Sequence, residues 1–222
     1  MTPRSETKPT RKGGRRARLS RELVVQAATD LADEAGLEAM TMQRIGQRLG
    51  VEAMSLYRHV RNKEDLIDGM VDLVFSEIEV LSEVADWRTA MRRRAESTRE
   101  VLARHPWAVG LMESRSQPGP VTLRHRDAVL GILRNAGFSS AMATHAFNLL
   151  DSYVYGSVLQ EHSLTMPTPE EMEEGLRQPA SDEYPNLKVV GTDLLESGWD
   201  FGSEFVFGLD LIVDALDRHP RT

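Results

Sequence analysis

Thr41, Gln43, Arg44, Ala53, Met54, Ser55, Tyr57, Arg58, His59 and Lys63 all fall between positions 41 and 63. Hydroxyl, imidazole and cationic groups of these kinds hold phosphate oxygens, which fixes a protein's position on a duplex. Ala53, Met54 and Arg58 lie around a leading face where bases or thymine methyls are met. That chemistry needs a scaffold. Thr41 is placed to cap a short helix whose Met42, Ile45 and Leu49 share one face, and Gly50 ends it. Residues 52–59 then form a second short helix with Leu56 and Val60 turned inward. Two short helices about a tight turn make a helix-turn-helix, whose second helix fits the ~12 Å major groove. An ordinary helical hairpin with a polar outer face has the same spacing, so spacing alone leaves both readings open.

The whole chain, 222 residues with a formal charge of −7, argues weakly against nucleic acid. The distribution of charge argues for it. Residues 1–63 carry 13 basic and 7 acidic side chains, whereas residues 64–222 carry 14 and 27. A basic head on an acidic body suits a nucleic-acid module joined to a domain of another kind. Much of the excess sits in residues 1–18, a Pro-, Gly- and Arg-rich arm without apolar period that is expected to be disordered. The arm serves either as a tracker of phosphates or as a solubilising tail.

Every periodic segment reads as helix, so the fold class is all-α. Ser20 caps a first helix that Gly36 ends, and Asn62 caps a fourth with Glu64 and Asp65 opposing its positive end. Further helices are expected at 86–104, 106–114, 119–136, 139–162 and 199–218. The stretch 163–197 holds Pro167, Pro169, Pro179 and Pro185, and reads as a loop with one short helix near Glu170–Arg177. The chain divides into the arm 1–18, a three-helix head at 19–66 and a larger helical C-terminal domain at 67–222.

The motif is specific beyond its spacing. Thr41, Gly50-Val51, Leu56-Tyr57-Arg58-His59-Val60 and Asn62-Lys63-Glu64-Asp65-Leu66 stand in the order and at the distances of the TetR family's DNA-binding domain, which the segment closely resembles. The resemblance implies that Gln43, Ala53 and Met54 read bases while Thr41, Ser55, Tyr57, His59 and Lys63 hold phosphates. The family's polar reader is replaced by Ala53, so its operator sequence does not carry over. His105-Pro106-Trp107, Arg115, Gly137-Phe138-Ser139 and Gly156-Ser157-Val158-Leu159 are similar to the tetracycline-repressor-like C-terminal domain. There the family supplies a histidine to drug-bound magnesium, at a position that is Met112 here, and an asparagine where this chain has Arg94. A thioether does not ligate magnesium. The resemblance therefore implies a metal-free organic effector other than tetracycline, with no cofactor.

Pocket walls want apolar and aromatic groups with a few polar anchors. Trp87, Met91, Arg94, His105, Trp107, Met112, Phe147, Leu150, Asp151 and Trp199 are the candidates for effector contact. Most of these side chains serve equally well as core, and His105 suits a satisfied helix-terminal histidine. Asp151, behind Phe147 and Leu150 on an apolar stripe, would need a partner if buried.

The last helix is apolar nearly all round, as a helix covered on more than one side is. A second copy is its simplest cover. A homodimer through 139–160 and 199–218 would present two recognition helices to a palindromic operator. The fourth helix belongs to the head, but its far end near Ile78 to Leu81 meets the C-terminal core. An effector that fits one position of that helix would thus shift operator affinity.

Catalytic signatures are missing: there is no phosphate-binding loop, nucleophile elbow, metalloprotease motif or dinucleotide fingerprint. Without cysteine, thiol chemistry and zinc fingers are excluded. No run reaches the ~20 apolar residues of a membrane span and no secretory signal opens the chain, which points to the cytoplasm. A nucleoid-type architectural binder is the other alternative, but an acidic, pocket-sized C-terminal domain fits a sensor better.

Overall fold

The computed structural model describes residues 18–80, 86–112, 114, 118–163, 168–178 and 183–219. The arm, apart from Arg18, lies outside these residues, and so do Leu81 and Arg115. All regular structure among the described residues is helical. α1 (Arg21–Ala35), α2 (Met42–Leu49) and α3 (Ala53–Leu56) form the head, and α4 (Lys63–Glu77) leads out of it. α5 (Trp87–Arg104), α6 (Pro120–Asn135), α7 (Ser140–Ser163) and α10 (Phe201–Arg218) form the body, while α8 (Pro169–Arg177) and α9 (Pro185–Ser197) pack on each other.

The anticipated caps are present. Ser20, Thr41 and Asn62 accept the backbone N–H of Leu23, Arg44 and Asp65, and Gly50 closes α2 at a φ of 67°. Val24, Ala28, Ile45, Leu56, Leu66 and Met70 fill the head's core with at most traces of exposure. The body is built on α5, which packs against both α7 and α10, and α6 bridges α4 to α7. The boundary expected at 66/67 falls inside α4, so one unbroken helix belongs to both halves. No described helix is long and apolar enough to cross a membrane.

Three expectations need correction. The 163–197 stretch holds a second helix, because Pro185 stands in the first turn of α9, where a missing N–H costs nothing, rather than breaking it. The helix expected at 52–59 is regular only over Ala53–Leu56, followed by a turn through His59. Residues 106–114 wind as a tighter 3₁₀ segment over Pro106–Leu111.

Candidate DNA interface and effector site

The turn between α2 and α3 depends on a glycine inside a helix. A Cβ on Gly46 would lie 2.8 Å from the Val51 carbonyl oxygen and 3.2 Å from Ala53 N. The Val51 N–H donates to Gly46 O at 2.9 Å in the space so left. Arg48, facing away from the turn, binds Glu34 of α1 at 2.6 and 2.8 Å and thereby pins α2 on α1. Arg44 is exposed but turns one N–H back to Ala39 O at 3.0 Å.

On the outer surface of this scaffold Thr41, Gln43, Arg44, Met54, Tyr57, Arg58 and Lys63 are exposed, and Ala53, Ser55 and His59 are half-buried. Met54 is 76% exposed, a thioether that the head's core could have absorbed if packing were its purpose. The ten candidates thus fall on α2 and its cap, on α3 and the turn after it, and at the start of α4, and none of them is fully buried. A residue not anticipated for its role, Asp65, sets the angle of that outer surface. Its buried carboxylate accepts from Arg21 Nη1 and Nη2 at 2.8 and 3.1 Å, from the Arg61 backbone N–H at 2.9 Å and from Arg61 Nη2 at 3.1 Å. These donors, the Arg21 guanidinium first, hold the Asp65 carboxyl far below the usual carboxylate range.

Two more carboxylates on α4 reach the body. Asp72 caps α6 from outside, accepting Val121 N, Thr122 N and Thr122 Oγ1 at 3.2, 3.0 and 2.8 Å. Glu77 accepts from Arg104 Nη2 at 2.6 Å and lies 3.3 Å from His105 Nε2. The other His105 nitrogen lies 2.8 Å from Asp33 Oδ1 of α1, and Trp107 Nε1 donates to that same oxygen at 2.6 Å. His105 and Trp107, considered for effector contact, are therefore placed at the junction of head and body.

Within the body the effector candidates gather on facing sides of α5 and α7. Met91, Arg94, Phe147, Leu150 and Asp151 are buried there, with Met112 buried at the end of the 3₁₀ segment. Arg94 is 2% exposed, and its Nη2 lies 2.7 Å from Asp151 Oδ1, which is the partner Asp151 required. The approach is too oblique for a hydrogen bond, so attraction between the charges is all that the contact supplies. The guanidinium carbon stands 5.5 Å from the Phe147 ring centroid, a cation–π distance. Trp87 is buried at the start of α5, edge-on to Phe138. Trp199 stands apart from these at the entry to α10, where it donates to Glu204 and packs against Phe201.

His125 of α6, not anticipated at all, completes the buried cluster. Its Nε2 accepts from Arg94 Nε at 3.0 Å, so the imidazole must be neutral with its proton on Nδ1. Burial first, then the Arg94 and Arg126 charges, push its pKa from 6.5 down to about 3. The unfolded chain takes up that proton near 6.5 and the folded chain resists it. Stability from this group is therefore complete above pH 6.5 and lost as pH falls towards 3. Between pH 6.5 and 4 we expect a loss of about 3 kcal/mol. In His125→Gln the amide oxygen accepts the same hydrogen bond without titrating. Thermal melts across that range should slope less for the variant, and equal slopes would remove His125 from the account.

With the geometry in view, comparison places the chain among known proteins. Residues 24–70 match the family model "Bacterial regulatory proteins, tetR family", and residues 81–219 match "Tetracyclin repressor-like, C-terminal domain". The transcriptional repressor DrrR1 of Streptomyces coeruleorubidus is 31% identical, over 92% of this chain and 79% of that protein. The class C tetracycline repressor of Escherichia coli is 29% identical, over 90% and 92%. Among solved structures, ActR of Streptomyces coelicolor in complex with actinorhodin superposes with a TM-score of 0.75 at 26% identity, covering 90% of this chain and 96% of that one.

Proposed function

This chain belongs to the TetR family of bacterial regulatory proteins and is a ligand-responsive, DNA-binding transcriptional repressor; on that premise we propose how its parts divide the work. Two copies join through α7 and α10, seat their recognition helices on a palindromic operator in the cytoplasm, and leave it when a small organic molecule enters the body. The ten residues on the rim of the head make the operator contacts. The Arg94 cluster between α5 and α7 receives the effector. A tetracycline–magnesium chelate does not suit it, because buried Met112 stands where a metal-binding histidine would be needed.

The single observation that carries the mechanism is the set of three carboxylates along α4. Asp65 ties its start to α1 and to the turn after α3, Asp72 ties its middle to α6, and Glu77 ties its end to Arg104 and His105. A helix bound to the head at one end and to the body at two further points cannot tilt without carrying the head along. An effector that fits one tilt better biases the spacing of the two heads. Coupling of ~1–3 kcal/mol corresponds to an affinity change of roughly 5–150-fold.

The test is titration of the full chain against DNA from upstream of its own coding region, at physiological salt with competitor DNA. Saturable binding that Tyr57→Ala and Lys63→Ala each weaken by about tenfold is the expected result. Binding no tighter than to random DNA would leave the regulator without this operator, and equal binding by both variants would remove the rim from the interface.

A further inference from the structure

His105 stands where three parts of the chain meet, and both of its ring nitrogens face a carboxylate. Nδ1 lies 2.8 Å from Asp33 Oδ1 on α1, and Nε2 lies 3.3 Å from Glu77 Oε2 at the end of α4. The imidazole itself belongs to the body, since it directly follows α5 and precedes the 3₁₀ segment. The ring is buried, while both carboxylates keep an edge in water, which gives a solvent proton a short way in.

A neutral imidazole has one N–H and one lone pair, so it satisfies only one of these carboxylates. Its other nitrogen then turns a lone pair on a negative oxygen. The imidazolium donates at both ends and removes that conflict. Trp107 Nε1 shares Asp33 Oδ1 at 2.6 Å, and Arg104 Nη2 shares Glu77 Oε2 at 2.6 Å. Burial works to raise the Glu77 carboxyl, yet hydrogen bonds from Arg104 and His105 hold it below its ordinary value, so it stays ionised. Arg104 opposes a second cation beside it, but two carboxylates against one guanidinium leave one negative charge for the imidazolium to balance. α7 also packs on the 3₁₀ segment and, among the described residues, brings no charged group to His105.

We propose that His105 is a pH-operated latch between head and body: on taking a proton it holds α1 through Asp33 and the end of α4 through Glu77, and the protein then keeps its operator more firmly. The proposal rests on the reading that operator release needs α4 to tilt, and adds a control on the ease of that tilt. A tilt that carries the head away from the body draws Asp33 and Glu77 from the ring together. Two charged hydrogen bonds resist that movement where one resisted it before. Histidine ordinarily changes charge between about pH 5 and 8, so the latch works near neutrality. His105 is a positioning residue, acting on the operator through α1 and α4.

His105→Gln keeps a donor but cannot take a charge. The unaltered full chain and this variant are compared by thermal melts and by titration against DNA from upstream of the coding region, at about pH 8 and about pH 6 in the same salt. On acidification the unaltered chain should gain about 2–4 °C in melting temperature over the variant. Its operator affinity should rise about fivefold more than the variant's. The other histidines are common to both chains and cancel in the comparison. Asp33→Asn removes one of the two carboxylates from the more exposed side of the latch and should cut both gains by about half. It decides the matter equally well if His105→Gln melts too low to be assayed. Equal gains in the unaltered chain and His105→Gln, or full gains in Asp33→Asn, overturn the proposal. A gain in melting temperature without the matching gain in operator affinity also overturns it, because the tie would then be structural alone. Specific operator binding with a flat pH comparison removes the latch and leaves the regulator standing, whereas no specific binding at either pH removes the regulator and the latch together.

Discussion

Replacing Asp65 by asparagine is expected to lower the chain's melting temperature by about 4–8 °C and to weaken operator binding by about tenfold. The carboxylate joins three pieces of chain: Arg21 at the start of α1, Arg61 after the recognition segment, and the first turn of α4. Arg21 also donates to the carbonyls of Asp65 and His59, at 3.0 and 3.3 Å. The amide of the variant would offer one acceptor oxygen and turn an N–H toward Arg21. A fully buried pair broken in this way costs about 3–5 kcal/mol, but the Arg21 side chain is 40% exposed and water recovers part of the loss. About 2 kcal/mol remains, a figure consistent with several charged hydrogen bonds partly replaced. Operator affinity follows because the freed segment carries Tyr57, Arg58 and His59.

The same residue makes the head acid-sensitive. With its carboxyl held well below the ordinary 3.8, Asp65 contributes stability at every pH above that value and loses it as pH falls further. The variant has no such dependence. Melts of both chains at pH 7 and in the acid range check the two claims together. An unchanged melting temperature at neutral pH would show that the knot is decorative.

These ties also mark where sequence reading stops. Caps, turns and apolar stripes are local, so α1, α2, α4 and the long body helices could be read from Ser20, Thr41, Asn62 and their spacing. The helix at Pro185–Ser197 was hidden by its own proline, since the same residue breaks a helix in its middle and opens one in its first turn. Gly46 left a faint trace, a glycine inside an otherwise regular helix, though nothing local says that Val51 O comes within 2.8 Å of where its Cβ would be. Long-range pairs left none. Asp33 lies 72 positions from His105 and Arg94 lies 31 from His125, and no periodicity connects them. The need of a buried Asp151 for a partner was legible from its stripe, whereas the identity of that partner was a matter of packing.

Phe207→Glu is expected to give a monomer whose operator affinity is lower by at least about a hundredfold. α10 turns Phe205, Leu209, Val213 and Leu216 into its own subunit, where all four are buried. On its other side Val206, Phe207 and Leu211 are 47%, 62% and 54% exposed, and beside them on α7 Leu149 and Leu159 are 47% and 56% exposed. Isolated exposed apolar residues need no explanation, but this patch spans two helices held together by Tyr153, whose hydroxyl donates to the Glu204 and Phe205 carbonyls at 3.2 and 3.0 Å. In a symmetric pair every contact is made twice, so one substitution removes two phenyl groups and buries two carboxylates near the axis. Burial of an aromatic side chain is worth about 1.5–3 kcal/mol, and each buried unpaired charge costs several more. A monomer then binds one half-site without the local concentration its partner supplied, which is the source of the hundredfold. Sedimentation of the variant, with operator titration on the same sample, gives the answer. A dimer of unchanged affinity would move the interface elsewhere, and a monomer that still binds the full operator tightly would refute the two-headed mode of binding itself.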